Sequence, residues 1–525
     1  MILKRADVKT LVLLLVLFLS LPRDLLAEED NRSDDLSDKQ RYLLESLPLP
    51  SSSERFFITN ENVKAFSDFL LEPLDKWLAS GKFVLRAGRQ LNYEWKLSES
   101  WQKQTELGLG HFSVDRDGSL LCNLKETAES GFPFGSAVDI NREQDPVIKA
   151  YQILWNSSYA ETASQDMLYG FDLMLLSSRE MLRKAEGMFY RRSFGRVYVE
   201  SEPEHFEMPQ ASDAKEVKPV TRKQVKQASS LERGPQFSGT DDIFRQEAFK
   251  FLSPAAVSGF QHVSWRYRGF RGDSVWIYSP VIDRARRVFG SNRSDALIGM
   301  PITFDDFFTW SGKIQNVDAK VLDERILLVP FPHANLAVIE NIKSLAEPLS
   351  QESALDESKK PTLEDLYAVH GLYQRVDGLY ANMLWNNQTL RFLHSSAWIP
   401  TEAIFVPRKV WLLEVNPRDP FYASGRTVLA IDQESMLPIY KLVYSIGGAL
   451  KRVIMGSWGL AASSSEANLR WPFVSFVLAV ETESEQVSAL TTTYVHSFLG
   501  KESVKAKSVR ELLRVSVKAE QRGEE

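Results

Sequence analysis

Several residue types and motifs that would point to a specific chemistry are scarce in this sequence. Cys122 is the only cysteine among 525 residues, so no intramolecular disulfide can form and the fold has to be held by its core. Free cysteine is usually a small buried residue, and leucines flank this one, so we interpret Cys122 as a core residue rather than a reactive thiol. The sequence therefore argues against a disulfide scaffold and against thiol chemistry.

Signatures of known enzymes are also missing. The sequence contains no Gly-x-Ser-x-Gly nucleophile elbow, no phosphate-binding glycine loop and no His-Glu-x-x-His motif. The seven histidines are scattered without a partner at metal-ligand spacing. We therefore predict a protein that is not an enzyme and that uses no metal and no other cofactor.

The overall charge excludes one large class of partner. The net charge is −6 and the isoelectric point is near 5.9, so we expect no general affinity for nucleic acid. Hydrophobic residues make up 44% of the chain, which is ample for a core. The length favours two or three lobes, although one large sheet domain can absorb much of it.

The one long apolar run lies at the amino terminus. Lys4 and Arg5 precede a run from Leu11 to Leu19, and Ala27 stands just before an acidic stretch, which predicts a secretory signal over residues 1–27. The run is too short for a membrane anchor, because a spanning helix needs about 20 apolar residues. No cysteine lies near the cut for lipid attachment. We predict an exported, soluble and unlipidated periplasmic protein with no transmembrane span after cleavage.

Two aromatic segments predict a β-hairpin near the middle of the chain. The alternation of apolar and polar residues from Val263 to Arg268 predicts one strand, and a second runs through Val275 and Ile277 to Pro280. The linker between them contains two glycines, which is typical of a hairpin turn. The hairpin carries four aromatic residues that we take as candidate ligand contacts: Trp265, Tyr267, Trp276 and Tyr278.

Charged side chains follow the hairpin closely. The basic ones are Arg284, Arg286, Arg287 and Arg293. They could hold an anionic headgroup or a phosphate. Alternatively, they pair with Asp283 and with nearby acids in a surface network. We assign four acidic residues to a structural polar cluster: Asp295, Asp305, Asp306 and Glu414.

These blocks resemble a known family. The pattern runs through Trp276, Tyr278, Pro280, the three arginines 284, 286 and 287, Arg293-Ser294-Asp295, Gly299 and Asp305-Asp306, and a second block comprises residues 407–411, Glu414, 417–420, Arg426 and Asp432. Over roughly residues 130 to 460 the chain is similar to the bacterial "domain of unknown function 1329" proteins, which are related by fold to outer-membrane lipoprotein-sorting carriers. The resemblance implies a strongly curved antiparallel sheet wrapped around helices in the cell envelope, and it supplies no catalytic residues.

We therefore predict an α+β fold, mainly antiparallel β, with a large curved sheet (an incomplete barrel) wrapped around helices, as in lipoprotein carriers. Residues 28–55 read as a flexible acidic tail and 56–200 as an amino-terminal helix-plus-strand part. Residues 201–241 read as an exposed insertion, 242–500 as a curved antiparallel sheet with helices, and 501–525 as a carboxy-terminal helix or tail.

Some elements can be placed individually. Apolar spacing predicts a helix over 61–79, kinked or divided at Pro73, and another after Asp145-Pro146. A further helix is predicted from Thr362. The tetrapeptide from Asp115 to Gly118 predicts a hairpin turn rather than a calcium loop. The carboxy-terminal part predicts a meander of strands at 410–415, 427–431, 438–444, 450–455, 473–480 and 487–495.

The sequence supports two classes of function. The leading hypothesis is a periplasmic carrier or chaperone for a lipid, a lipoprotein acyl chain or another hydrophobic compound in outer-membrane traffic. Its basis is that a curved sheet with an apolar inner face has to be covered by helices, loops or a ligand. The alternative is a non-catalytic interaction component of an envelope transport assembly, partnered by a transporter or an outer-membrane protein. A hydrolase that uses Asp305 and Asp306 is a third, weaker hypothesis, because adjacent strand residues face opposite sides.

Overall fold

The computed structural model describes most of the chain between residues 56 and 498. The described stretches are residues 49–50, 56–91, 94–97, 112–122, 143–161, 166–177, 181–193, 243–332, 336–337, 374–375, 403–462 and 470–498, with single positions at 45, 102, 105, 140 and 400. Residues Leu49–Glu525 form one compact unit that holds every strand and helix given below. Met1–Pro48 form a separate unit, of which only Glu45 is described.

Some predicted segments cannot be compared with the structure. The signal over 1–27, most of the tail over 28–55, the insertion over 201–241, the helix from Thr362 and the end over 501–525 lie outside the described residues. They stay predictions.

A sheet of fifteen strands forms the body of the protein. Across the sheet the strands are β1 (Phe56–Ile58), β2 (Leu85–Ala87), β14 (Ala403–Pro417), β15 (Thr427–Asp432), β16 (Pro438–Tyr444), β17 (Leu450–Ala462), β18 (Arg470–Glu481), β19 (Val487–Phe498), β5 (Asp166–Leu176), β6 (Met181–Ser193), β7 (Ile243–Ser253), β8 (Gln261–Tyr267), β9 (Ser274–Ser279) and β10 (Arg284–Val288). The fifteenth strand, β11 (Val317–Pro332), pairs with the other edge of β14. All pairings are antiparallel except one bridge between Phe405 and Ala87.

Smaller elements accompany this sheet. Two short hairpins are formed by β3 (Phe112–Val114) with β4 (Leu120–Cys122) and by β12 (Leu336–Ala337) with β13 (Gln374–Arg375). The two α-helices of the described chain are α1 (Glu72–Ala79) and α2 (Pro146–Ala160), and 3-10 turns occupy Val63–Ala65, Ser67–Phe69, Gly290–Ser294, Leu297–Gly299, Phe304–Asp306 and Ile314–Asn316. Within the described residues, no helix combines the length and the apolar character needed to cross a membrane.

The predicted fold class is confirmed. The structure is mainly antiparallel β with few helices, and its large sheet stays open. Strands β6 and β7 pair along most of their length, so the sheet continues on both sides of the predicted insertion at 201–241.

Most of the individual elements follow the sequence pattern. The hairpin of β8 and β9, the turn from Asp115 to Gly118 and the carboxy-terminal meander are all present. Helix α2 begins after Asp145, whose Oδ1 accepts a hydrogen bond from the amide of Val147 at 2.9 Å. The helix predicted over 61–79 is wrong in its first half, where two 3-10 turns replace it. Pro73 stands near the start of α1, a position that needs no amide donor.

The inner face of the sheet is filled by one segment of the chain. We call residues 289–316 the inner segment. It contacts β5 to β8 on one side through Phe304, Phe307 and Phe308, whose ring centroids lie between 3.6 and 6.0 Å from those of the partner rings Tyr169, Phe171, Phe189, Phe249 and His262. On the other side Phe308 lies 6.1 Å from Trp458 of β17. The sheet therefore curves around this segment.

The contact at Gly456 shows how closely the inner segment approaches β17. A Cβ atom at Gly456 would lie 1.7 Å from Oγ1 of Thr309, and Thr309 itself has a φ of 64°. Real atoms do not approach so closely, so only glycine fits at this position without displacing the inner segment. The packing leaves no room for a ligand between Thr309 and β17.

Candidate binding cavity and buried charge network

The four predicted aromatic residues do not line one hollow. Trp265 and Trp276 are buried and pack edge to face, with ring centroids 5.2 Å apart. They lie on the face of the hairpin opposite to His262 and Arg266, which contact the inner segment. Tyr278 is partly buried near the other end of the hairpin, where its hydroxyl donates to Asp283 at 2.7 Å. Only Tyr267 borders a cavity large enough for a ligand.

The four predicted arginines are also separated. Arg284, Arg286 and Arg287 are exposed on the edge strand β10, and Nη2 of Arg287 donates to Oγ of Ser274 at 3.1 Å. Arg293 belongs to the inner segment and is buried, with Nε donating to Oδ1 of Asp305 at 2.7 Å. Arg293 therefore cannot share one headgroup with the three exposed arginines.

The predicted acidic cluster is divided in the same way. Asp305 and Asp306 are both buried in the 3-10 turn Phe304–Asp306, but they face different partners. Oδ2 of Asp305 accepts from the hydroxyl of Tyr422 at 2.6 Å, whereas Asp306 accepts from Lys441 and Arg452, each at 2.7 Å. Arg293 thus neutralises Asp305, whereas Lys441 and Arg452 neutralise Asp306.

The other two acids of that prediction lie apart from this turn. Asp295 accepts from Nδ2 of Asn292 at 2.7 Å, near the protein surface. Glu414 on β14 pairs with Lys320 at 3.2 Å and with Arg426 at 2.6 Å, and both of these cations are about half exposed. Burial opposes ionisation of Glu414, but hydrogen bonds from Arg426 and Lys320 outweigh it and lower its pKa.

A buried charge network lies where α2, β6, β7 and the inner segment meet. Its centre is Glu247, whose carboxylate lies 2.9 Å from Nη2 of Arg191, 3.6 Å from Nη1 of Arg245 and 3.1 Å from Nη1 of Arg293. The network is completed by Glu161, which accepts from Arg191 at 2.9 Å, and by Asp305. Three arginines thus face three carboxylates. The guanidinium carbon of Arg191 also lies 3.5 Å from the ring centroid of Phe308.

The network shifts the pKa values of its acids in opposite directions. Burial opposes ionisation of Glu247, but Arg293, Arg191 and Arg245 together hold the pKa of Glu247 well below its usual value. For Glu161 burial dominates over the attraction of Arg191 and Arg245, so its pKa is raised. Each acid of the network is paired with a buried arginine, so the network acts as an anchor for the inner segment.

A second ionic group continues from the network toward the β8–β9 turn. Nε of Arg266 donates to Asp273 at 3.0 Å, and its other nitrogens donate to the carbonyls of Ser311 and Gly312. Lys313 lies beside the same aspartate, and burial lowers the pKa of Lys313 to about 8. These residues border a polar cavity of about 50 Å³, roughly the volume of one or two water molecules.

A second cavity lies at the end of β8 and is mostly apolar. Its volume is about 370 Å³, and α2, the β3–β4 hairpin, the β8–β9 turn and the end of the inner segment form its walls. The aromatic and aliphatic lining residues are Phe112, Leu120, Leu121, Trp155, Tyr159, Phe244, Tyr267, Phe270 and Ile314. Leu121 and Phe270 are 42% and 54% exposed, so they stand where the cavity meets solvent.

Two arginines add a polar side to this cavity. Arg266 has its hydrogen bonds satisfied by Asp273 and the inner segment. Arg268 differs, because its buried Nε has no hydrogen-bond partner among the described residues. A buried donor without a partner is costly, so an acceptor on a bound molecule would stabilise this wall.

Sequence reasoning missed most of these residues. The missed charged residues span 292 residues of the sequence and meet their partners only because the sheet curves. They are Glu161, Arg191, Arg245, Glu247, Lys441 and Arg452. One signal was available on β7, where the charged residues Arg245 and Glu247 stand two positions apart in a mostly buried strand. Charged residues at period two in a buried strand indicate inward-facing ion pairs. The described residues contain no cluster of His, Cys, Asp and Glu that could hold a metal ion.

Comparison with known families identifies the class of protein. The profile of the family described as "Protein of unknown function (DUF1329)" matches residues 190–492, which is more than half of the chain. The chain belongs to this family, as its two central blocks predicted. No curated protein matches the chain.

Solved structures provide distant similarities. A Vibrio parahaemolyticus domain named for outer membrane lipoprotein sorting is 11% identical, covers 69% of this chain and 97% of its own, and has a TM-score of 0.38. A DUF1329 family protein from Desulfovibrio piger is 12% identical, covers 69% and 100%, and has a TM-score of 0.37. A LolA superfamily protein from Nitrosomonas europaea is 9% identical, covers 67% and 94%, and has a TM-score of 0.31.

Proposed function

We propose that this protein is a non-catalytic carrier that binds one hydrophobic compound with an acidic head in the cavity at the end of β8. The observation that supports the proposal is the cavity itself, about 370 Å³ of mostly apolar space with an unsatisfied arginine donor in its wall. Small-molecule sites usually measure roughly 300 to 1,000 Å³ and combine apolar walls with a few polar groups.

The volume of the cavity limits the size of the ligand. A single medium-length hydrocarbon chain fits a space of this volume, whereas several acyl chains together do not. Burying about ten methylenes would contribute about 8 kcal/mol at about 0.8 kcal/mol each. The translational and rotational freedom that is lost on binding offsets several kcal/mol of this burial free energy. The remainder gives reversible binding, which a carrier requires because it has to release its cargo.

The polar side of the cavity favours an acidic head on the ligand. A carboxylate or phosphate oxygen placed beside Arg268 would accept a charge-assisted hydrogen bond from its Nε. Arg266 lies next to it and adds positive charge without needing a new partner. The arginines of β10 and Arg293 do not line this cavity, so we assign them no role in holding the head.

The compartment follows from the amino terminus. A positively charged start, an apolar run and a small residue before an acidic stretch support export to the periplasm. In that compartment a hydrophobic compound needs cover from water between the two membranes. We therefore place the carrier in envelope traffic and assign it no metal and no other cofactor.

Extraction of bound compounds from the purified protein tests this function. We expect organic extraction and mass spectrometry to recover an amphipathic acid from the wild-type protein at a ratio close to one per chain. The variant Leu121→Trp narrows the cavity mouth and should recover much less, whereas Phe421→Trp, at a more exposed site away from the cavity, should recover the wild-type amount. A protein that carries no compound, and binds no added fatty acid, would contradict the proposal.

A further inference from the structure

Five exposed apolar side chains lie at one end of the sheet, away from the cavity. They are Met181, Leu182, Leu252, Val281 and Ile282, with exposed fractions of 53%, 44%, 36%, 86% and 50%. Single exposed apolar residues are ordinary, but a group of them in one place indicates an interaction surface.

The strand order brings these residues together. Met181 and Leu182 begin β6, Leu252 ends β7, and Val281 and Ile282 form the turn from β9 to β10. Strands β6 to β10 are consecutive antiparallel neighbours, so these positions lie at the same end of adjacent strands. The loop after β7 touches the β9–β10 turn directly, since a Cβ atom at Gly259 would lie 3.5 Å from Pro280. We call this surface the apolar rim.

Two loops of the rim are uncharged and are followed by cations, whereas the β5–β6 connection carries Arg179 and Glu180 directly before Met181 in the sequence. No acidic or basic residue occurs from Phe251 to Phe260 or from Ser274 to Ile282. Arg284 and Arg286 follow at once, both are exposed, and neither forms an ion pair with any residue that the structure describes. Arg183 is exposed beside Leu182.

Three described acids near the rim have partners of their own. Asp283 accepts from Tyr278, while Asp172 and Glu186 lie 3.1 and 3.3 Å from Lys184. The neighbouring β18–β19 turn is acidic, with Glu481, Glu483 and Glu485, and it limits the rim on that side. In a chain with a net charge of −6, the rim is therefore a local region where apolar and positive side chains occur together.

We propose that the apolar rim is a docking surface for a lipid bilayer with anionic headgroups. The apolar side chains project from two strand ends and one turn rather than lining a groove, which fits insertion between headgroups better than it fits a folded partner. Arg284 and Arg286 would then pair with lipid phosphates, each strengthening binding about fivefold. The arginines also discourage edge-to-edge pairing of β10, but that role does not require Val281 and Ile282 to be exposed.

Docking by the rim leaves the cavity accessible. The cavity is bordered by residues 267–270 at the opposite end of β8 from the rim. The protein would stand on the membrane with its cavity mouth turned away from the lipid. Rim variants should therefore change membrane binding without changing ligand binding, so a failure of this proposal is distinguishable from a failure of the carrier function.

Vesicle flotation with the protein as isolated from cells tests the proposal. We expect binding to vesicles of phosphatidylcholine with phosphatidylglycerol and weaker binding to phosphatidylcholine alone. The double variant Val281→Asp, Ile282→Asp should lower the partition coefficient about tenfold or more, because both side chains lose their apolar burial. The double variant Arg284→Gln, Arg286→Gln should lower it about fivefold for each arginine, and only with the anionic vesicles.

The matched control is the double variant Phe421→Asp, Ile446→Asp. These residues are 84% and 88% exposed but lie outside the rim, so the control should bind vesicles as the wild type does. An environment-sensitive dye on Val281→Cys, with Cys122→Ser as background, should shift to the blue on anionic vesicles. Equal loss in the rim and control variants, or a protein that stays in the aqueous fraction with every lipid, would overturn the proposal and point to a protein partner instead.

Discussion

Two parts of the inner face differ in how they are filled. Around β5 to β8 and β16 to β17, the inner segment packs its aromatic side chains against the sheet and is held by buried ion pairs. At the end of β8 the inner segment ends, and a cavity of about 370 Å³ is left between α2, the β3–β4 hairpin and the β8–β9 turn. The chain thus fills most of its curved sheet itself and leaves a cavity at one end.

The buried ion pairs and the apolar cavity thus lie in different parts of this fold. Buried charges fix the inner segment in one position, because each of them has a specific partner to meet. The cavity has mostly apolar walls and few polar groups. Variants in the two parts should therefore affect different properties.

The largest effect is expected in the charge network. Glu247→Gln removes the anion shared by Arg191, Arg245 and Arg293 and leaves buried positive charge uncompensated. We expect the free energy of unfolding to fall by about 3 to 5 kcal/mol. Denaturant unfolding measures it. The control Glu414→Gln, whose partners are about half exposed, should cost less than about 1 kcal/mol; equal losses would contradict the special role of the network.

A smaller effect is expected where the inner segment touches β17. Gly456→Ala places a methyl group against Oγ1 of Thr309, so the segment has to move, at a cost of about 3 kcal/mol. Thr309→Gly removes the obstructing side chain and also suits the positive φ of that residue. The double variant should therefore recover much of the lost stability. If it is as unstable as Gly456→Ala alone, the contact is not the cause.

The charges that hold the inner segment should also make it sensitive to acid. Burial opposes ionisation of Asp306, but Arg452 and Lys441 hold its pKa at about 2, below the usual 3.8. A lowered folded-state pKa stabilises the fold above pH 3.8, and this contribution is lost as the pH falls toward 2. The difference corresponds to about 2 kcal/mol.

Asp306→Asn provides the comparison for this pH effect. The variant should be less stable than the wild type at neutral pH but should lose less of its stability between pH 4 and pH 2. Thermal unfolding across that range measures both slopes. Parallel curves for the two proteins would show that Asp306 does not keep a lowered pKa in the folded state.

The smallest effect on stability is expected at the cavity. Leu121→Trp and Phe270→Asp change exposed side chains at the mouth, so the free energy of unfolding should change by less than about 0.5 kcal/mol. Both variants should nevertheless weaken binding of a fluorescent fatty acid about tenfold. A stability loss as large as that of Glu247→Gln would mean that the cavity wall is part of the packed core.

Much of this fold could be predicted from the sequence, because strands are recognised from the pattern of neighbouring residues. The alternation in β8, β9 and the carboxy-terminal strands depends on neighbouring residues only, so period two identified them. The same reasoning could not tell which face of β8 and β9 is the inner one. Trp265 and Trp276 looked like cavity residues because they are large and apolar, but the strand orientation turns them away from the inner segment.

The site was predicted less well because it is assembled from distant segments. Arg293 and Asp305 belong to a charged run of the sequence, but Glu247, a partner of Arg293, lies on β7, and Glu161, a partner of Arg191, directly follows α2. Arg268, which carries the polar side of the cavity, lies within the strand predicted from Val263 to Arg268, but the pattern singles out only the aromatic residues of that strand as ligand contacts. No spacing rule connects residues that meet through the curvature of a sheet.

The most direct test of the account is a crystal structure grown with a medium-chain carboxylic acid that carries a terminal bromine. The account predicts an anomalous bromine signal between α2 and the β3–β4 hairpin, with the carboxylate within hydrogen-bond distance of Nε of Arg268. A signal within the aromatic packing of Phe304, Phe307 and Phe308, with the inner segment displaced, would contradict the claim that the chain itself permanently fills that part of the sheet.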